Sequence, residues 1–325
     1  MTNHGRCLLA ALLLLAGAWV NASPILPRSL LGHTENIVVL PQGRVFLASD
    51  RGIYEIKRTL DLDEACDYDA VSGLTACLQV DNHYDNGRCF FSGMTTDGHH
   101  LYAACTIWYP WLIPLGRPRT AALYKVTPGA SSADQVQIQA FADPVWYNGM
   151  TMLDDRTLLL SASSYGTALG FDGPAISKLT ITDPLNLSFE LEDWLARRPG
   201  MLMPNGLLMA EGELYFIGGQ TLFRIPVRDD GSAGAPELLY RTPWYRVLDD
   251  MTWLAGELVL AEIAGINGLG KNYLTYFDPL TGHYRRQDSG PIQVSSLAVD
   301  LGNVSVPGVL LATSFFEGGL HRYDP

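Results

Sequence analysis

The chain has 325 residues, 34 acidic against 22 basic, and a formal net charge of −12. It has no basic run, and phosphate binding depends on clustered positive charge, so nucleic acid is a poor partner. With 47% hydrophobic and 17% charged residues, the sequence fills a large core and does not read as disordered.

The first element is an address. Arg6 gives a short basic region, Cys7 to Val20 form an uncharged apolar run, and Val20-Asn21-Ala22 supplies small residues before Ser23-Pro24. That order reads as a signal peptide over residues 1–22. The expectation is an exported protein, periplasmic or secreted. Removing 22 of the 325 residues leaves 303 for one domain over 23–325. Cys66, Cys77, Cys89 and Cys105 follow, an even number without zinc spacing, and two disulfides are expected in an oxidising compartment. Four cysteines allow three pairings; Cys66–Cys77 with Cys89–Cys105 closes short local loops and is the favoured one.

Six segments then share one plan: a polar residue or pair, an apolar run, a turn, and a second apolar strand. They begin at Glu35-Asn36, Ser92-Gly93, Asn148-Gly149, Asn205-Gly206, Asp249-Asp250 and Ser295-Ser296. The paired second strands are VFLAS, LYAAC, LLLSA, LYFIG, LVLAE and LLATS. The first positions are 35, 92, 148, 205, 249 and 295, so the intervals are 57, 56, 57, 44 and 46 residues. Turns such as TDG, AEG and LAG join the two strands of a unit, as hairpins require. No stretch keeps a helical period. The fold class predicted is all-β, a six-bladed β-propeller, because units of this length bury their faces only against one another. The sixth unit has three strands before the chain stops, so the segment around 25–31 is expected to close the ring.

In such a ring the first strand of each unit lines the axis, and its polar start lies near one mouth. Glu35, Ser92, Asn148, Asn205, Asp249 and Ser295 therefore converge, with Asn36 and Asp250 beside them. All are oxygen donors, with no His or Cys among them. Carboxylates and carboxamides suit Ca²⁺. Asp249 is the candidate base or nucleophile, or serves only as a ligand; Glu35 is the other charged group in place. The mouth is expected to carry Ser92, Trp108, Trp146, Tyr147, Met203 and Trp244 as a substrate pocket for a small hydrophobic molecule. His33 stands two residues before Glu35, and His99-His100 falls in a turn away from that mouth.

The segment ENIVVLPQGRVFLAS at 35–49, YNGM at 147–150, PNGL at 204–207 and LDDM at 248–251 resemble, in order, blades of the paraoxonase, gluconolactonase and diisopropylfluorophosphatase group. The resemblance implies a catalytic calcium on Glu35, Asn148, Asn205, Asp249 and Asp250, and hydrolysis of a lactone or ester. Ser92 stands where paraoxonases carry an active-site His. Gly149 stands where they use Asp for a second, structural calcium, so one ion is expected here. A phosphotriesterase, a biosynthetic enzyme resembling strictosidine synthase, and a non-catalytic binding propeller stay open as alternatives.

Overall fold

The computed structural model describes residues 23–59, 63, 65–107, 118–129, 135–163, 173–264 and 270–325. The signal-peptide segment lies outside these residues, as does Trp108. Among the described residues no helix is long and apolar enough to cross a membrane.

Among the described residues six antiparallel sheets of four or five strands form the blades, beside a two-stranded ribbon of His83–Tyr84 and Gly87–Arg88. Blade 1 runs outward from Thr34–Val39 through Val45–Ser49 and Gly52–Lys57 to Leu74–Asp81, with Cys66–Asp69 added at its edge. Blade 2 is Phe90–Thr96, Leu101–Ile107, Thr120–Val126 and Val136–Ala140, and blade 3 is Tyr147–Met152, Thr157–Ala162, Pro174–Asp183 and Ser188–Ala196. Blade 4 is Pro204–Ala210, Glu213–Gly218, Thr221–Pro226 and Glu237–Arg241; blade 5 is Arg246–Leu254, Glu257–Ala264, Asn272–Phe277 and Tyr284–Gly290. Blade 6 takes Ser296–Val299, Leu310–Thr313 and Leu320–Tyr323 from the end of the chain and Ser23–Leu26 from its start. Each innermost strand lies against the next one, the sixth against the first, which closes a six-bladed propeller.

The apolar second strands show why the ring holds. In VFLAS, Val45 and Leu47 pack toward blade 6, while Phe46 and Ala48 pack toward blade 2. In LYAAC, Leu101 and Ala103 face blade 1, and Tyr102 and Ala104 face blade 3. A strand buried on both faces reads as a continuous apolar run, because alternate side chains serve two different interfaces.

Closure is narrower than the sequence suggested. Only Ser23–Leu26 forms the fourth strand, pairing with Leu320–Tyr323. Residues Arg28–Leu31 instead turn as a short helix between Pro27 and Gly32, whose φ of 80° ends it. Proline suits a helix start and glycine tolerates the left-handed exit, so the chain leaves the sheet there.

Both expected disulfides are formed. Cys66–Cys77 ties the extra strand of blade 1 to its neighbour, and Cys89–Cys105 ties the entry of blade 2 to its second strand, with Cα atoms 4.0 and 5.1 Å apart. The second closes a separation of 16 residues, for which loop entropy gives about 3 kcal/mol. The double variant Cys89→Ser, Cys105→Ser is therefore expected to unfold at clearly lower denaturant; an unchanged midpoint would show that the bridge constrains nothing.

Candidate functional site

The polar pairs that open the units sit in backbone irregularities. In blade 1, Thr34 pairs with Ser49 and Ile37 with Leu47, so Glu35-Asn36 contains one residue more than the opposing strand. The same extra residue lies between Tyr147 and Met150, between Pro204 and Leu207, and between Leu248 and Met251. In blade 2, Ser92 falls between Phe91 and Gly93, which oppose the adjacent Cys105 and Ala104. A β-bulge of this kind breaks strict alternation and re-aims side chains. It lets two consecutive carboxylates, Asp249 and Asp250, both serve the channel wall.

Glycine at the second position of three bulges lets neighbouring inner strands approach. A Cβ on Gly149 would lie 2.2 Å from the Asn205 carbonyl oxygen, and one on Gly206 would lie 2.8 Å from Asp250 Oδ1. Backbone on one side leaves no room to yield.

At this level each blade is tied to the next. Asn36 Nδ2 donates to the Ser92 carbonyl, and Ser92 Oγ donates to the Tyr147 carbonyl at 2.7 Å. Ser163 Oγ donates to the Pro204 carbonyl, and Asn205 Nδ2 donates to Asp249 Oδ1. Ser296 Oγ and the Leu297 N–H donate to Asp250 Oδ2, and Thr313 Oγ1 donates to the Glu35 carbonyl at 2.8 Å. The site thus rests on a hydrogen-bonded girdle that passes through every blade.

Three buried carboxylates, Glu35, Asp249 and Asp250, lie within electrostatic reach of one another at this level. Glu35 is held well above the ordinary carboxylate range by burial and then by the negative charges of Asp249 and Asp250. Burial and then the Asp250 charge push Asp249 up to about 7, against the pull of the Asn205 hydrogen bond. Burial also lifts Asp250 to about 6, with Ser296 and the N–H groups of Met251 and Leu297 opposing the rise. Among the described residues no cationic side chain offsets the negative charge of these three groups. Among the described residues no three His, Cys, Asp and Glu side chains form a ready-made ion cage. A cation here would need the Asn148 and Asn205 amides to complete its oxygen shell. Asn148 is buried and Asn205 half-buried at the same level. The donor set suits a hard divalent ion.

On one side of the girdle the channel opens into a cavity of about 310 Å³. Asn36, Asp250 and Ser296 line its polar end, and Ile37, Met94, Met150, Leu207, Met251 and Leu297 line its walls. Asp250 faces this side. Glu35, Asn148, Asn205 and Asp249 do not line that cavity.

The expected pocket residues have varied surroundings. Tyr147 is 1% exposed and packs at a tilt against Phe141 within the core between blades 2 and 3. The bulge that turns Asn148 toward the axis leaves Tyr147 pointing into the sheet interface. Ser92 is buried completely and used by the girdle. Trp146 is half-buried, Met203 is 42% exposed with φ of 49°, and Trp244 stands 83% exposed edge-on to Tyr245. None of these five lines the described cavity.

His33 and Phe315 complete the neighbourhood of Glu35. His33 Nδ1 donates to the Phe315 carbonyl, and Arg28 Nη2 meets His33 Nε2 at 2.5 Å. Both ring nitrogens of His33 are thereby engaged. It is not placed to activate water. His100 pairs with Asp97 at 2.8 Å within a hairpin turn. The Phe315 position escaped the sequence reading, although SFFEGG follows the second strand of unit six where the other units carry their mouth loops.

No protein-family profile and no curated protein sequence matches the chain. Solved structures match it as propellers. A luciferin-regenerating enzyme aligns with a TM-score of 0.55 at 12% identity, over 93% of this chain and 96% of that one. Virginiamycin B lyase from Staphylococcus aureus aligns at 0.52 and 10% identity, over 94% and 99%. The PQQ domain of pyranose dehydrogenase from Coprinopsis cinerea aligns at 0.51 and 9%, over 94% and 95%. At these identities the likeness is one of fold.

Proposed function

We propose that the protein is an exported, calcium-dependent hydrolase of a hydrophobic lactone or ester. What supports this reading is the uncompensated charge of Glu35, Asp249 and Asp250 among oxygen donors at one level of the channel. Burying carboxylates without a partner is costly, and a divalent cation or protons must offset them. Glu35, Asn148, Asn205 and Asp249 would hold the ion, with Asp250 on the cavity side. Bound there, calcium would polarise a carbonyl oxygen and stabilise the charge it gains.

The residues then divide the work. Asn205 fixes the Asp249 carboxylate through its amide N–H. Asp249 takes the proton of the water that attacks the carbonyl carbon, after which the acyl C–O bond breaks and the alcohol leaves with a proton. Or Asp249 attacks the carbon itself, expels the alcohol and leaves an acyl-Asp249 anhydride that water then cleaves. Glu35, braced through its backbone by Thr313, supplies the opposing negative charge that retains the ion. The two disulfides suit an oxidising compartment.

Fold alone does not choose a chemistry, and the solved neighbours include a lyase and a dehydrogenase domain. The deciding experiment is a panel of an aromatic ester, an aliphatic lactone and a phosphotriester, each assayed with calcium and with chelator. Hydrolysis of an ester or lactone that disappears with chelator and returns with calcium is the expected result. Turnover of no panel member would remove the hydrolase reading. Asn148→Ala is expected to weaken the ion rather than the chemistry, so raising calcium should restore much of its activity; a defect indifferent to calcium concentration would contradict its role as a ligand.

A further inference from the structure

We infer that the N-terminal closing segment completes the substrate wall at the mouth: Arg28 and His33 hold Phe315 against Phe90 as a face for a planar, apolar substrate group. The inference rests on the proposed function for its reaction, but not for its geometry. Phe90 starts the inner strand of blade 2, and Phe315 follows the second strand of blade 6, yet their rings lie edge to face with centroids 5.4 Å apart. Blade 1 separates these two blades. Blades splay outward from the axis, so side chains from non-neighbouring blades meet only near the channel. The ring pair therefore bridges the entry of the blade 1 inner strand, where the Thr34 N–H donates to the Ser314 carbonyl at 3.2 Å, next to Glu35.

The wall is propped from outside. The His33 ring lies 5.3 Å from Phe315 and its Nδ1 donates to the Phe315 carbonyl. Arg28 Nη2 engages His33 Nε2, and Nη1 reaches the Phe316 carbonyl at 3.4 Å. Arg28 belongs to the short helix that follows the closing strand, so the wall is assembled only when that strand docks. Phe91, one residue on, is fully buried against Tyr124; Phe90 and Phe315 remain half-buried, and Phe316 is 57% exposed. Rings that keep a face or edge toward a mouth stack well on flat apolar groups. Arg28 and His33 act through Phe315 and are positioning residues.

The test compares native protein with Phe315→Leu, Arg28→Ala and Arg28→Lys, using phenyl acetate and cyclohexyl acetate with saturating calcium. The same proteins are titrated by calorimetry with acetophenone and cyclohexyl methyl ketone, which cannot be hydrolysed. Phe315→Leu and Arg28→Ala are expected to lose about tenfold of the phenyl-over-cyclohexyl preference, mainly through KM and ketone affinity, with calcium content unchanged. Arg28→Lys, which keeps a donor for His33, is expected to retain most of that preference. An equal fall for both esters would reveal a merely structural role and overturn the inference, as would an unchanged preference in Phe315→Leu. If native protein hydrolyses neither of these esters, the ketone titration alone decides the wall, and the hydrolase reading is decided separately by the lactone and ester panel: no aryl preference in the titration overturns the wall.

Discussion

Asp249→Asn is expected to lower hydrolysis by about 10²-fold or more, the scale set by loss of a general base, while keeping much of the calcium. Asparagine preserves size and an oxygen ligand but is neither a useful base nor a nucleophile. The proposed reading prefers Asp249 to its neighbours for two reasons. Asp250 is committed to Ser296 and the Leu297 N–H on the cavity side, and His33 is locked between Arg28 and a carbonyl. Single-turnover and steady-state rates, measured beside calcium content, separate the two roles open to Asp249. Full activity in Asp249→Asn would remove it from the chemistry and leave it only as a ligand.

The second large effect concerns pH and metal together. In the chelated protein Asp249 and Asp250 titrate at about 7 and about 6, whereas an unfolded Asp titrates near 4. Between those limits the folded state binds more protons than the unfolded one, so stability falls as pH rises. The contribution is complete below about pH 4 and is lost through the folded values, a loss of the order of a few kcal/mol. Glu35, also shifted upward, adds in the same direction. On the proposed reading calcium would take the place of those protons. It is expected to raise the melting temperature at pH 7 by roughly 10 °C at saturating concentration and to flatten the pH dependence. Melting curves from pH 4 to 8, with calcium and with chelator, give the check. A chelated protein that grows more stable from pH 5 to 7 would contradict the uncompensated-carboxylate picture.

Much of the fold was legible in the sequence because a propeller repeats its instructions. The apolar second strands, buried on both faces, and the polar pairs at a common phase announced six units, and the short cysteine spacings agree with the disulfides formed. Ring closure was legible only in part: the three strands of unit six required a fourth, but Pro27 and Gly32 cut that strand short. At the site, the composition of the girdle was readable and its directions were not. A bulge adds one residue to one strand, and no alternation rule shows which side chain it turns inward. Tyr147 was expected at the mouth and lies in the core for that reason. Phe315 and Phe90 meet across an intervening blade, a contact between residues 225 positions apart that only ring closure creates.

Blade 5 also carries the buried support of the site. Glu262 accepts from Thr242 Oγ1 at 2.8 Å and Thr275 Oγ1 at 2.7 Å, and pairs with Arg246 and Arg286 at 3.4 and 3.1 Å. It lies opposite Leu248, next to Asp249. Glu262→Ala would leave buried Arg246 without that partner and is expected to cost about 3–5 kcal/mol. A thermal midpoint close to that of the native protein would show that the network is dispensable.

The most direct test of a calcium ion in the channel is a calorimetric titration of calcium into chelator-treated, desalted native protein beside Glu35→Gln. The expected result is one ion per native chain and a large loss of affinity in Glu35→Gln, whose fold is monitored by circular dichroism. Native protein that takes up no calcium, or a folded Glu35→Gln that binds it as tightly, would contradict the proposed site.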